Sequence, residues 1–392
     1  MFSFTIQHTD RGSRARYGML KNSSRSIETP ELAIVATKAQ FKSIPQEYWS
    51  QLPVQYLIVN TFHLMTTQAG TLLQRIERSG DVHEFMGCED KIIASDSGGF
   101  QVFSLGFGKK HNIGKVGREK FSSAHVDDSS PLSITEDGVA FAFDNKKIQL
   151  TPERSMEIQH AIGADIMFAF DECSSPYNSK KYTRAAMERT HRWLMRCIKS
   201  HQPFSNKQNL FGIIQGGEYE DLRKESARFL AKQNVSGFGI GGSLGSFKED
   251  MYAVLDWVIP LLPEEKPRHF LGIGQVRDIF EGVERGVDLF DCVIPTREAR
   301  HRVLYTHDKG KISIRKYKHL NDVLDSTCQC ISCREKVTYR QLWQWFLEKD
   351  PRAPMYATMH NIWFYADLTR KIREAIQTNS LNELKELYYR IY

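Results

Sequence analysis

The sequence predicts an α/β protein built on a (β/α)8 barrel, with a cysteine-containing subdomain inserted after the eighth strand and a small N-terminal β segment. Eight short apolar runs are separated by stretches in which apolar residues recur every three or four positions. A doubly wound open sheet is the alternative, because one missed strand changes the count. The predicted strands are LAIVA (32–36), YLIV (56–59), IIAS (92–95), DIMFAF (165–170), LFGII (210–214), GFGI (237–240), HFLGI (269–273) and DLFDCVI (288–294).

The segments between and after these strands define the predicted domains. Residues 181–201 and 219–233 are amphipathic and are predicted helices, and NIWFYADLTRKIREAI (361–376) is a predicted helix that closes the barrel. A long basic insertion after the third strand ends in a hairpin-like run. The predicted division is 1–301 with 361–392 for the barrel, 302–360 for the cysteine-containing subdomain, and 106–150 for the insertion.

Composition and charge narrow the class of protein. The chain has 392 residues, of which 41% are hydrophobic and 26% charged, as in ordinary globular domains. The net charge of +6 permits a polyanionic partner without requiring one. The sequence has no apolar run of the roughly 18 residues that a membrane span needs, and no signal-peptide core, so we expect a cytoplasmic protein without membrane attachment.

Polar residues and glycines follow the predicted strands. In a (β/α)8 barrel these strand ends converge on one face, where the active site is built. Any single Asp or Gly after a strand is also a common turn former, so only the combination indicates a site. The strand-end residues are Thr37, Asn60, Asp96, Asp171, Gln215, Gly241 with Gly242, Gly274 and Asp291.

The same residues are suited to a purine-like lactam. Asp171, after an apolar run, can accept hydrogen bonds from a ring N–H and an exocyclic amine. Gln215 and the backbone N–H of Gly242 can bind a carbonyl oxygen, and Phe100 can stack on a flat ring. The set therefore favours guanine or an analogue as ligand.

Three cysteines lie close together in CQCISC, and a histidine follows them. Cys328, Cys330, Cys333 and His360 form the three-thiolate and one-imidazole set that structural zinc prefers. The alternative is a group of buried, reduced cysteines. With seven cysteines in all, an odd number, a disulfide framework is not indicated.

Several motifs occur in the order found in tRNA-guanine transglycosylases, and the sequence resembles this family, its bacterial members most closely, from about Arg14 to Ile376. The motifs are SDSGGFQVFSL, FDEC, GIIQGG, GIGG, LGIG, GVDLFDCVIPTREAR, CQCISC and MHNIWFY. The resemblance implies a barrel with a zinc-binding insertion, usually a homodimer. It also implies exchange of the wobble guanine of GUN-anticodon tRNAs for a 7-substituted 7-deazaguanine, prequeuine base or queuine, on the queuosine pathway.

The resemblance assigns roles to individual residues. It implies that Asp291 is the nucleophile and Asp96 the general acid/base, which also contacts the base. Attack by Asp291 on the ribose would give a covalent intermediate, and two displacements would retain configuration. Leu271 matches a position on one face of the base, with core packing as the alternative. The further implied roles are base binding by Phe100, Asp171, Gln215 and Gly242, tRNA binding by Arg297 and Arg300, and zinc binding by Cys328, Cys330, Cys333 and His360.

The chain departs from the bacterial pattern after the double glycine. GGSLGSFKED is one residue shorter there and has Ser246 where bacterial members have a glutamate that recognises prequeuine base, so the incoming base stays open. Surface ion pairing is the alternative for Arg297 and Arg300, and a solvated loop is the alternative to tRNA contact for the basic insertion. The competing functions are a non-catalytic tRNA-binding partner subunit, a DNA-directed 7-deazaguanine transferase and a hydrolytic glycosidase.

Overall fold

The computed structural model describes residues 2–100, 132–143, 146–245 and 247–392. Its strands are β1 Ser3–Thr9, β2 Arg16–Lys21, β3 Ser26–Thr29, β4 Glu31–Val35, β5 Tyr56–Val59, β6 Ile92–Ser95, β7 Ser133–Ile134, β8 Val139–Phe143, β9 Lys146–Leu150, β10 Ile166–Phe168, β11 Asn209–Ile214, β12 Gly237–Ile240, β13 Arg268–Phe270, β14 Leu289–Cys292, β15 Val303–Thr306 and β16 Gly310–Ser313.

The described α-helices vary in length from one turn to seven. They are α1 Thr61–Thr66, α2 Thr71–Arg78, α3 Val82–Met86, α4 Pro152–Ile162, α5 Lys180–His201, α6 Glu220–Ala231, α7 Lys248–Val258, α8 Val276–Glu284, α9 Ile294–Arg300, α10 Ile314–Tyr317, α11 Ile331–Arg334, α12 Tyr339–Leu347, α13 Arg352–Gln377 and α14 Leu381–Ile391. Among the described helices, none is both long enough and apolar enough to cross a membrane.

Eight parallel strands form a closed barrel, which confirms the predicted fold class. Its strand order is β4-β5-β6-β10-β11-β12-β13-β14, and β14 pairs with β4 in parallel to close the ring. Residues 56–59 and 92–95 are buried throughout, as expected for strands covered on both faces. All eight predicted strands are present. The predictions ran too far at the carboxyl ends of β10, β13 and β14, which end at Phe168, Phe270 and Cys292. After β13 the chain makes a turn with Gly272 at φ +71°.

Two units divide the chain, one of residues 1–3 and 59–270 and the other of residues 4–58 and 271–392. In the first unit, a buried carboxylate precedes β10. Asp165 accepts hydrogen bonds from the ring Nε2 of His83 at 2.8 Å and from the backbone N–H of Ile93 at 2.9 Å. These contacts fix the start of β10 beside β6.

The predicted hairpin 138–150 is confirmed as β8 and β9, to which β7 adds a third antiparallel strand. Glu136, in the turn between β7 and β8, accepts hydrogen bonds from Arg189 and Arg192 of α5. The Arg192 guanidinium holds the pKa of Glu136 at about 2. The hairpin is therefore tied to α5 by charged hydrogen bonds. Residues 106–131 of the predicted insertion, with lysines 109, 110, 115 and 120 and Arg118, lie outside the described residues.

In the second unit, buried ion pairs fix the starts of β14 and β4. Arg16 donates from Nε and Nη2 to the two carboxylate oxygens of Asp288, at 2.7 and 2.6 Å. Glu31 binds Arg373 of α13 at 3.1 Å, and burial raises the pKa of Glu31 above its usual value. These ion pairs fix the position of β14, the strand that contains Asp291.

The sheet of β1, β2 and β3 is the predicted N-terminal β segment. The predicted C-terminal helix is present but begins earlier, at Arg352, and passes through residue 360. The predicted domain boundary at that residue thus falls within a helix, and the three-part division stays a prediction.

Candidate active site and metal centre

Asp96 follows β6 in the first unit and is held by three hydrogen-bond donors. Its Oδ1 accepts from the backbone N–H groups of Thr61 at 2.9 Å and Gly98 at 3.1 Å, and its Oδ2 accepts from Nδ2 of Asn60. The Asn60 side chain also caps α1, because its Oδ1 accepts from the N–H of His63 at 2.9 Å. Asp96 is partly buried, and these donors orient its carboxyl group.

Asp171 and Gln215 form a buried pair in the same unit. Nε2 of Gln215 donates to Oδ2 of Asp171 at 2.6 Å, and the Ser97 hydroxyl lies 3.4 Å from the other carboxylate oxygen. The side chain of Gln215 is 1% exposed, yet its Oε1 has no hydrogen-bond partner among the described residues. A carboxylate beside an unpartnered amide oxygen suits a ligand edge that presents several N–H donors.

Gly242 lies close to this pair. Its backbone has φ +81°, and a Cβ atom at this position would lie 2.1 Å from Oε1 of Gln215. No side chain fits there without displacing the amide. The next residue, Ser243, also has a buried hydroxyl without a partner in the described part of the chain. The structure thus brings together Asp171, Gln215 and Gly242. The amide N–H of Gln215, predicted to bind a carbonyl oxygen, donates instead to Asp171, and base reading by these residues stays a prediction.

Phe100 also belongs to this unit and is 39% exposed. It directly precedes the undescribed residues 101–131. Ser246, which stands where bacterial members have a glutamate, lies outside the described residues. The role predicted for Phe100 stays a prediction, and the incoming base stays open.

Asp291 lies in β14 of the second unit and is partly buried. Its Oδ1 accepts a hydrogen bond from the backbone N–H of Gly272 at 2.8 Å. Gly274 packs against Cys292, since a Cβ atom there would lie 2.4 Å from that of the cysteine. The LGIG segment (271–274) therefore orients the carboxylate of Asp291. Leu271, the first residue of this segment, is partly buried.

Arg297 and Arg300 lie on α9, one turn apart. Arg297 is exposed, and Arg300 donates to the carbonyl oxygen of Thr296 at 2.8 Å. Burial and the neighbouring Arg297 charge lower the pKa of Arg300. Neither guanidinium forms an ion pair with a carboxylate of the described residues, so the alternative of surface ion pairing finds no support there.

The four predicted metal ligands come together in the second unit. Cys328, Cys330, Cys333 and His360 are buried, and their ligand atoms all lie within 4.8 Å of one another. Nδ1 of His360 lies 3.5 Å from Sγ of both Cys330 and Cys333. A tetrahedral zinc site with ordinary bond lengths has a sulfur–nitrogen separation of about 3.6 Å, so the donor set fits zinc in type and in spacing.

The outer contacts of His360 select the ligand atom. Its Nε2 lies 3.0 Å from the carbonyl oxygen of Tyr305, so Nε2 carries the proton and Nδ1 presents its lone pair to the cysteines. The Cys328 and Cys333 thiols hold the pKa of Cys330 well below its usual value by hydrogen bonding to it, which favours a thiolate. The cluster can hold one metal ion.

Sequence reasoning did not assign the groups that hold the predicted residues. Asn60 was noted only as a strand-end residue, and Thr61, Gly98 and Gly272 act through backbone N–H groups that no side-chain pattern reveals. Asn60 could have been found from its position before a short helix, where asparagine is a common cap.

Comparison with known proteins agrees with these observations. A family model described as queuine tRNA-ribosyltransferase matches residues 10–392. A relative from Archaeoglobus fulgidus is 42% identical over 97% of this chain and 98% of its own length. The queuine tRNA-ribosyltransferases of Herpetosiphon aurantiacus and Halothermothrix orenii are 40% and 38% identical over 96% and 100% of this chain, and over 88% and 98% of their own lengths. Most of these relatives are bacterial, as predicted.

Proposed function

The chain belongs to the queuine tRNA-ribosyltransferase family, whose members are pentosyltransferases that act on tRNA, and from this premise we propose the reaction that it catalyses. It exchanges the wobble guanine of GUN-anticodon tRNAs for a 7-substituted 7-deazaguanine, either prequeuine base or queuine. The observation that supports this most directly is the buried pair of Asp171 and Gln215 beside Gly242, whose acceptors suit the N–H donors of guanine.

Two displacements account for the exchange. A carboxylate oxygen of Asp291 bonds to ribose C1′ while the bond from C1′ to guanine breaks, and Asp96 gives a proton to the departing base. The incoming base then loses a proton to Asp96 and bonds to C1′, and the ester to Asp291 breaks. The proton that Asp96 gives in the first step returns in the second, so atoms and charge balance.

The contacts of the two carboxylates are compatible with these roles. Asp291 accepts one hydrogen bond from Gly272, which orients the carboxylate. Asp96 accepts hydrogen bonds from Asn60, Thr61 and Gly98, which fix the position of its carboxyl group for proton transfer. Leu271 and Phe100 would contact the faces of the base, and Arg297 and Arg300 would bind anticodon-loop phosphates.

We also propose that the cysteine and histidine cluster binds one structural zinc ion. All four positions are protein ligands, so none is left for substrate. When bound, zinc would crosslink the segment 328–333 to α13 and take no part in the exchange. The homodimer and the cytoplasmic location stay predictions.

Guanine exchange tests the proposal. Unmodified GUN-anticodon tRNA with labelled wobble guanine is incubated with the protein and either prequeuine base or queuine. We expect label release with at least one base, and the base that works identifies the substrate. No release from tRNA that binds would instead indicate a partner subunit, whereas release from DNA alone would indicate a DNA-directed transferase.

The variant Asp291→Asn tests the nucleophile. We expect no covalent RNA adduct on denaturing gels and at least roughly a 10⁴-fold loss of exchange, because an amide is a poor nucleophile. Affinity for tRNA should stay within a few-fold of wild type. Asp322→Asn, at an exposed position of the same unit, is the matched control and should behave as wild type. An adduct that survives Asp291→Asn would assign the nucleophile elsewhere.

A further inference from the structure

Arg223 is a fully buried arginine on α6 whose guanidinium binds three backbone carbonyl groups. Its Nε donates to Gly217, its Nη1 to Ile214 and its Nη2 to Ser243, each at 2.7 Å. The residue is 0% exposed. No carboxylate among the described residues forms an ion pair with it, and its described hydrogen bonds all go to carbonyl groups.

The three carbonyl groups belong to the two segments that read the base in the proposed function. Ile214 and Gly217 flank Gln215 and Gly216, and Ser243 follows Gly242 directly. One planar guanidinium therefore links the segment after β11 to the segment after β12. Because its donors have fixed directions, the guanidinium both holds the two segments together and sets the distance between them.

Other contacts of α6 reinforce the same arrangement. Ser226, one turn after Arg223, accepts a hydrogen bond from the backbone N–H of Gln215 at 3.3 Å. Gly216 packs so closely against the helix that a Cβ atom there would lie 2.8 Å from the backbone nitrogen of Arg223. One face of α6 thus positions the backbone on both sides of Gln215.

A small movement of these segments has large consequences at the base site. Gly242 is so close to Gln215 that a Cβ atom there would lie 2.1 Å from Oε1. The two groups can serve one ligand only if their separation is held to a fraction of an ångström. A buried cation without a counter-ion is also costly, and burial lowers the pKa of Arg223 to about 10. Neutral donors could satisfy the same carbonyl groups without that cost.

We propose that Arg223 is a positioning residue for base recognition, which fixes the distance between the Gln215 amide and the backbone N–H of Gly242. This inference rests on the proposed function, since it assumes that these groups bind a guanine-like base. Arg223 acts through the two segments, not by contact with the ligand.

Calorimetric titration of guanine into the protein tests the inference. Arg223→Lys keeps the charge, but its single ammonium group cannot replace a three-way planar fork, and Arg223→Met removes both. We expect the guanine Kd to rise roughly 10-fold for the lysine variant and roughly 100-fold for the methionine variant. The Kd for tRNA should stay within about two-fold, because the phosphate contacts do not depend on this spacing. Arg228→Met, at an exposed position of the same helix, is the matched control.

The readout separates positioning from general stability. A thermal melt is recorded for each variant, and if Arg223→Met does not fold, Arg223→Lys decides. Unchanged guanine affinity in folded Arg223→Lys would overturn the inference, as would equal losses for guanine and tRNA. If the Arg223 variants bind guanine more weakly but the wild type shows no exchange activity, the inference is supported and the proposed function is refuted. If the wild type exchanges guanine but the Arg223 variants bind guanine as tightly as wild type, the proposed function is supported and the inference is refuted.

Discussion

The metal-ligand cluster and the base-reading residues are both buried, but they differ in whether their polar atoms have partners. In the cluster, His360 uses both ring nitrogens, one toward Cys330 and Cys333 and one toward the carbonyl group of Tyr305. Near the base-reading residues, Oε1 of Gln215 and the hydroxyl of Ser243 have no partner within the described part of the chain. A buried polar atom without a partner costs about 1–3 kcal/mol.

If the proposed functions are right, this difference separates a structural site from a binding site. A closed set of four ligands leaves a metal no open position for substrate, so its contribution is to stability. A buried set with unpartnered acceptors is less stable empty and gains its missing hydrogen bonds when a ligand enters. Variants in the first region should therefore change stability, and variants in the second should change affinity.

The largest expected effect is in the cluster. In Cys330→Ala only three ligands remain, and we expect metal analysis to find almost no zinc and thermal unfolding to show a loss of several kcal/mol. Cys197→Ala, which removes a buried thiol that is not a cluster member, should keep its zinc and is the matched control. Freshly purified wild type without zinc would show that the cluster is only a group of buried thiols.

The next effect is in the base-reading set. Asp171→Asn keeps the shape but removes the charge that binds two N–H donors, so we expect guanine affinity measured by calorimetry to fall by on the order of 10²-fold or more. Unlike Cys330→Ala, it should leave the melting temperature nearly unchanged, because the asparagine oxygen can still accept from Nε2 of Gln215 and the cost of burying a charge is removed.

Asp221→Asn, an exposed aspartate of the same unit, provides the control for Asp171→Asn and should bind guanine normally. If Asp171→Asn instead lowers the melting temperature strongly, and the fraction that stays folded binds guanine with the wild-type Kd, Asp171 would be a structural residue. The distinction between the two regions would then fail.

The two regions also differ in how far the sequence predicted them. The cluster was predicted completely, because ligand type and close spacing in CQCISC limit the possible partners and His360 is the only histidine after it. The eight strands were predicted because strands buried on both faces are continuous apolar runs. The predictions for β10, β13 and β14 were too long at their carboxyl ends. At β13 the reason is a turn at Gly272, which resembles a strand when it is read as Leu-Gly-Ile.

The base-reading region was predicted only in part. Asp171, Gln215 and Gly242 follow apolar runs and could be recognised, but the groups that hold the site could not. Arg223 appears in the sequence as one more charged residue of an amphipathic helix, although it is fully buried. Its three acceptors are backbone carbonyl groups, which every residue has, so no residue type identifies them.

The smallest expected effect concerns Arg297 and Arg300, whose charges have no ion-pair partner among the described carboxylates and so resemble the unpartnered acceptors of the base-reading set. Each change to alanine should weaken tRNA binding by roughly 3- to 10-fold at moderate salt. It should also reduce the slope of log binding constant against log salt concentration by about the amount expected for one lost phosphate contact. Arg370→Ala removes the same charge from a side chain already paired with Asp367 and Glu374, and should bind tRNA as wild type does. Guanine affinity should not change in any of the three. Equal losses for Arg297→Ala and Arg370→Ala would mean that net charge alone attracts the RNA, and that an unpartnered group does not identify a contact.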